Sequence, residues 1–277
     1  MSMLSSTSPS LAEGAASTRV AREAWLIPPG LFVLTAPLWL HWYEPALFVA
    51  INTLCAPVAA SVWASLSLLG NGWGVLGITA PLLVLAPRLM WAWLCAAPFA
   101  MLFARLGKGL IESPRPAAVV DNAQMRVVGE LLHNVSMPSG HTLTAFAVAS
   151  ALYFALPAAR RARHGWLFVL AAGTGLSRMA VGAHWAGDVA VGASLGILAG
   201  LLGHVLWQRM GPAHLQPTAW SLRLVAALLV AAAYNLVSEG LDFAEALPAQ
   251  YALTGVIAVS LLGFARQNWV ARAAARS

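Results

Sequence analysis

Long apolar runs recur along this chain, at about 25–43, 45–69, 73–88, 89–107, 141–157, 165–181, 188–208, 219–237 and 251–269. Inside a bilayer every backbone N–H and C=O must find a partner within the protein, so runs of this length are read as helices. A transmembrane barrel would instead alternate apolar and polar residues over segments of about ten, a pattern the sequence lacks. The expected fold class is all-α, a polytopic membrane helix bundle.

The composition agrees. Sixty per cent of the residues are hydrophobic and 9% are charged, against about a quarter charged in a soluble domain. The formal charge of +6 could favour nucleic acid, but the sixteen Lys and Arg are scattered, and no basic cluster is long enough to form such a face. Cys55 and Cys95, in different segments, read as small apolar fillers.

The opening stretch, MSMLSSTSPSLAEGAAST, is rich in Ser, Thr and Ala, so a disordered cytoplasmic tail is expected over 1–22. No small-residue cleavage pattern follows the first apolar run, which is read as a retained anchor. Arg88, Arg160, Arg161, Arg163, Arg209, Arg223, Arg266, Arg272 and Arg276 mark cytoplasmic turns and tail. The loops at 108–140, 177–188 and 238–250 then fall together on the outer side. Segment 45–69 carries Asn52, Thr53, Pro57 and three serines, and is read as an interfacial helix, which leaves eight spanning helices. No internal repeat supports a transporter built from inverted halves.

Ionisable groups at membrane depth are costly and usually mark a functional site. Three polar stretches on the outer side contain them: KGLIESPRP at 108–116, SMPSGHT at 136–142 and SRMAVGAHWAGD at 177–188. Lys108 and Arg115 are seven apart and share one side if their helix runs to about Ser113, where Pro114 and Pro116 end it. With Arg178 they make three cations, which call for an anion, and Arg forks suit phosphate oxygens. Ser139 and Gly140 stand where a helix begins, so free N–H groups and the helix dipole favour an anion there too. His184 with Asp188 four residues on fits an oriented nucleophile, and His141 fits the acid that protonates a leaving oxygen. Each feature alone has an ordinary structural reading; their joint occurrence on one membrane face is what points to phosphoryl transfer.

These three stretches resemble the type 2 phosphatidic acid phosphatase family of integral membrane lipid phosphatases, whose pattern K-x6-R-P, P-S-G-H, S-R-x5-H-x3-D is complete and in order here. The resemblance covers about 70 to 210, and GNGW at 70–73 is also typical of it. It implies a six-helix phosphatase core, no metal and no other cofactor. Lys108, Arg115, Ser139, Gly140 and Arg178 would hold the phosphate, His184 would form a phosphohistidine, Asp188 would orient it, and His141 would protonate the leaving group. The chain then divides into the tail at 1–22, a membrane phosphatase core at 23–210, and two further transmembrane helices with a basic tail at 211–277.

The implied activity is hydrolysis of a lipid phosphate or pyrophosphate, of the undecaprenyl pyrophosphate, phosphatidylglycerol phosphate or phosphatidic acid type. The expected location is a bacterial inner membrane, with the site facing the periplasm. A lipid phosphotransferase using the same residues is the alternative. An anion or lipid transporter would not need His184 with Asp188. A serine hydrolase is disfavoured because Ser139 sits in MPSGH rather than G-x-S-x-G, and the related vanadium haloperoxidases are soluble. His41, His164, His204 and His214 are expected at interfaces, and Arg105, Glu112, Arg126, Glu130 and His133 in solvated loops.

Overall fold

The computed structural model describes residues 18–41, 44–239 and 241–274. Most of the expected tail at 1–22, together with Arg276, lies outside the described residues. The described chain is all-helical: α1 Ile27–Leu34, α2 Ala36–Leu40, α3 Pro45–Cys55, α4 Ala60–Leu68, α5 Gly72–Thr79, α6 Leu82–Leu85, α7 Pro87–Leu110, α8 Gly140–Ala155, α9 Ala158–Arg161, α10 Trp166–Ala180, α11 Ala186–Trp207, α12 Trp220–Ser238 and α13 Leu247–Ala274. Among the described residues, α7, α11, α12 and Ala244–Ala274 are each long and apolar enough to cross a bilayer, and α8 and α10 are shorter apolar helices. Leu102, Leu106, Val169, Leu224, Val259 and Leu262 are exposed large hydrophobics, the surface that an integral membrane protein presents to lipid.

Two of the expected spans are broken. The first bends at Thr35, whose hydroxyl donates to the Leu31 carbonyl at 2.8 Å. It nevertheless runs the length of α11. The Arg161 guanidinium binds the Thr18 and Arg19 carbonyls at one end, and Gly187 leaves room for the Leu38 carbonyl at the other. The second breaks between α5 and α6 at Pro81, which has no N–H to continue the ladder.

Segment 45–69 is bent by 109° between α3 and α4. Phe48 packs on Trp185, Asn52 donates to the Met179 and Ala180 carbonyls, and the Leu66 carbonyl accepts from Thr174. These anchors gather in the C-terminal half of α10 and at the N-terminus of α11. The segment therefore caps one end of the bundle.

The centre is α11 packed against α7 and α8. Gly192, Gly196, Gly200 and Gly203 form a stripe along α11. A Cβ on Gly192 would sit 2.8 Å from the Ser139 carbonyl, one on Gly196 2.5 Å from the Leu143 carbonyl, and one on Gly200 2.9 Å from the Ala151 nitrogen. Helices in lipid gain little from the hydrophobic effect and associate through such close backbone approach. It brings the N-terminus of α8 against that of α11, where the Ser139 N–H donates to the Asp188 carbonyl at 3.1 Å. At the opposite end Trp207 donates to the Arg88 carbonyl and stacks under its guanidinium. His204, expected at an interface, is buried beside Trp207, because the last turn of α11 stays inside the bundle.

Helices α12 and α13 pack on each other and on α5 to α7. Leu222, Leu229, Leu236, Ile257 and Phe264 share one core with Val75, Leu83, Met90 and Trp93.

Candidate active site

The site assembles where α7 ends and where α8 and α11 begin. α7 stops at Leu110, with Ile111 already extended, so Lys108 and Arg115 do not share a helix as expected. The ladder closes before the prolines because residue 113 turns its backbone and side chain to another use: the Ser113 carbonyl accepts from Ser136 N–H at 3.0 Å and its hydroxyl from Met137 N–H at 2.7 Å. Lys108 projects from the last turn and donates to the Val135 carbonyl at 3.3 Å, while Arg115 lies on the extended segment that follows. They converge through the loop at 135–137 rather than through helical spacing.

His184 precedes α11 instead of lying on it. Asp188 is in the first turn and accepts from Trp185 N–H at 2.9 Å, so its carboxylate satisfies the backbone donor of the N-cap residue. The His184 and Ala183 N–H groups donate to the Arg178 carbonyl, and Gly182, at φ +83°, supplies the left-handed turn that makes this return possible. The His184 Nδ1 lies 3.0 Å from Asp188 Oδ2, and Nε2 lies 3.2 Å from an Arg115 guanidinium nitrogen. An anion on one side and a donor on the other admit a single neutral tautomer, with the proton on Nδ1 and the lone pair on Nε2. Burial, then the charges of Arg115, Arg178, Lys108 and His141, hold the His184 pKa well below its ordinary 6.5. The contact with Asp188 is therefore a hydrogen bond from a neutral ring.

Ser136, which the sequence did not single out, donates to Asp188 Oδ2 and lies 3.3 Å from His184 Nδ1. It is fully buried, in the loop that precedes α8. Its signal was its place beside Pro138 in the SMPSGHT stretch, which carries no chemistry until the loop packs on α11.

Arg178 is buried, donates to the Ser67 hydroxyl and stands over the Phe243 ring at 5.4 Å. Among the described residues, the Nε–H groups of Arg115 and Arg178 have no acceptor. Ser139 caps α8, its oxygen accepting from the Thr142 N–H and, at 2.9 Å, from the Thr142 hydroxyl, so its own proton is free to donate. Gly140 faces open space where a side chain would stand. His141 Nε2 lies 2.8 Å from Asp242 Oδ2, supplied by the loop between α12 and α13. All eight residues singled out in the sequence are thus at one end of the bundle. Ser136, Ser67 and Asp242 join them. Arg126, expected in solvent, instead ties its loop to the Ala56 and Val58 carbonyls at 2.8 Å, while Arg105, Glu112, Glu130 and His133 are exposed.

Residues 89–212, which contain all three sequence motifs, match the family model described as the PAP2 superfamily. This segment belongs to the PAP2 superfamily. Over 73 residues the chain is 42% identical to the lipid A 1-phosphatase of Porphyromonas gingivalis, a match that covers 25% of this chain and 16% of that protein. The crystal structure of Aquifex aeolicus LpxE superposes with a TM-score of 0.50 at 26% identity, covering 57% of this chain and 92% of that one. Ser67, Asn71 and Asp242 lie outside the family match.

Proposed function

We propose that the chain is an integral membrane phosphatase that hydrolyses a lipid phosphate or pyrophosphate through a phosphohistidine on His184, without a metal. The arrangement at His184 carries the reading: Asp188 holds Nδ1–H while Nε2 keeps its lone pair beside Arg115. Lys108, Arg115, Arg178, Ser139 and the N–H groups at Gly140 would hold the phosphate oxygens. Two buried guanidinium Nε–H groups without an acceptor among the described residues fit an anion. Such preorganised donors stabilise the charge of the transition state.

In the first step the Nε2 lone pair forms the N–P bond. The P–O bond to the leaving group breaks, and its electron pair is protonated by His141. In the second, water attacks phosphorus, His141 takes the water proton, and the N–P pair returns to Nε2.

A lipid substrate is supported by an apolar cleft of about 250 Å³ lined by Leu69, Val75, Ile78, Ala145, Leu170 and Thr174. Leu69 adjoins Gly70, which packs on the His141 backbone, and Ala145 and Thr174 lie one turn below His141 and Arg178. An acyl or prenyl chain in this cleft would leave its phosphate at the cations. The Porphyromonas gingivalis relative, named a lipid A 1-phosphatase, supports testing lipid A beside phosphatidic acid, phosphatidylglycerol phosphate and undecaprenyl pyrophosphate. The site lies opposite the basic Arg88 and Arg161 end, which supports a periplasm-facing site in a bacterial inner membrane. In this reading 23–210 is the phosphatase core.

The test is phosphate release by the purified protein in detergent with EDTA, across those four lipids, with His184→Ala as blank. Release that disappears in the variant is expected. Substrate consumed only when a lipid acceptor is added, with the phosphoryl group recovered on that acceptor, would replace hydrolysis by phosphotransfer.

A further inference from the structure

The two C-terminal helices lie outside the family match, yet the loop between them returns to the site. Asp242 Oδ2 accepts from His141 Nε2 at 2.8 Å and from the Asn71 amide at 3.2 Å. Asn71 is itself held, because its oxygen caps α5 by accepting from Trp73 N–H. The next residue, Phe243, is buried with Trp63, Leu68, Val128 and Val181 and lies under Arg178. Gly129, at φ +78°, lets the neighbouring loop close on it; a Cβ there would meet the Phe243 ring at 2.9 Å. The Asp242 side chain is itself 35% exposed, against 19% for His141, so it is held at His141 by the Asn71 amide on one side and by the buried Phe243 that follows it on the other.

We propose that Asp242 is the positioning residue for His141, so that α12 and α13 complete the catalytic apparatus; this rests on the phosphatase reading above. The charged groups facing His141 are Arg178 from α10, Arg115 from the segment after α7, and Asp242. Burial first, and then the two cations, oppose a proton on the ring, and Asp242 is the carboxylate that works against them. Burial pushes the Asp242 carboxyl up, but the His141 hydrogen bond, the His141 and Arg178 charges and the Asn71 amide outweigh it, so its pKa lies below the usual range. As an imidazolium, His141 gives its Nε2 proton to the bond with Asp242 and holds the other on Nδ1. When the P–O bond breaks, the Nδ1 proton passes to the leaving oxygen, and the ring remains bound to Asp242 as the neutral Nε2–H tautomer.

The experiment compares Asp242→Asn, Asp242→Glu, His141→Ala and the His141→Ala/Asp242→Asn double variant, in the full-length protein, with His184→Ala as blank. The substrates are the fastest lipid monophosphate of the panel, whose alkoxide needs a proton, and p-nitrophenyl phosphate, whose leaving group does not. For Asp242→Asn, kcat on the lipid is expected to fall about 10- to 100-fold, within the range that general acids contribute. The loss on p-nitrophenyl phosphate should be under about threefold, and the basic limb of kcat should move down by about one pH unit, the effect of losing one opposite charge. Asp242→Glu should recover most of the lipid activity, and Asp242→Asn should add nothing to His141→Ala. Equal losses on both substrates with an unmoved limb, additive losses in the double variant, or lipid turnover unchanged or raised would each overturn the assignment. A wild-type protein no more active than His184→Ala would overturn the phosphatase reading, and this proposal with it.

Discussion

His184 Nδ1 lies 3.0 Å from Asp188 Oδ2 and its Nε2 lies 3.2 Å from the Arg115 guanidinium, so one ring is held between a buried carboxylate and a buried cation. Removing Asp188 frees the opposite tautomer, with the proton on the nitrogen meant to attack. Asp188→Asn should therefore lower kcat by about 10² to 10⁴, as loss of an orienting carboxylate does in other histidine-dependent sites. Steady-state kinetics of the folded variant check this, and near wild-type turnover would remove Asp188 from the mechanism.

The acid side of the pH profile should be displaced. The folded His184 pKa lies below 6.5, by burial first and then by Arg115, Arg178, Lys108 and His141. The ring stays neutral, and nucleophilic, as pH falls through 6.5. The acidic limb of kcat/KM, corrected for the second ionisation of the substrate phosphate, should fall below pH 6.5. Stability has the same sign: below 6.5 the unfolded chain takes up a proton that the folded one does not, so this group costs stability as pH falls. A limb at or above 6.5 that remains after correction for the substrate ionisation would contradict the assignment.

Ser136 donates to Asp188 Oδ2 from a fully buried position. Ser136→Ala removes a hydrogen bond to a charged group, worth about 1.5–3 kcal/mol. Part of that should appear as a lower unfolding temperature in detergent. The rest should appear as reduced kcat with KM little changed, because Ser136 steadies Asp188 and does not face the phosphate. A change in KM alone would place Ser136 in substrate binding instead.

The glycine stripe should be intolerant. A side chain at Gly196 meets the Leu143 carbonyl and the Phe146 Cβ at 2.5 and 2.7 Å, and backbone cannot give way. Gly196→Val should destabilise by at least the ~1–3 kcal/mol of an overpacked core. Gly211, with open space around it, is the control: Gly211→Ala should unfold like wild type. Thermal unfolding of both in one detergent decides it.

Orthovanadate imitates pentacoordinate phosphorus and should inhibit by occupying the cation cluster, whereas EDTA should leave turnover intact. Loss of activity in EDTA, restored by a divalent cation, would overturn the metal-free reading.

Much of the site was legible because a bilayer penalises ionisable groups. Lys108, Arg115, Arg178, His141, His184 and Asp188 stood out against apolar runs, and their spacing within short motifs survives as sequence. Even so, the helical relation expected between Lys108 and Arg115 is absent, because Ser113 spends its hydrogen bonds on Ser136 and Met137 and α7 ends at Leu110.

Taken alone, the sequence determined the all-helical membrane fold, since only closed backbone hydrogen bonding survives in lipid, and the three polar blocks, since charge there is too costly to keep without use. Only tertiary structure decided that 45–69 bends by 109° into a cap, that Ser67 meets Arg178, and that Asp242 meets His141. Those partners lie 111 and 101 residues apart. No periodicity or local spacing records such a pairing; it follows from which apolar faces pack, and α12 and α13 settle on α5 to α7 so that their connecting loop falls beside the N-terminus of α8.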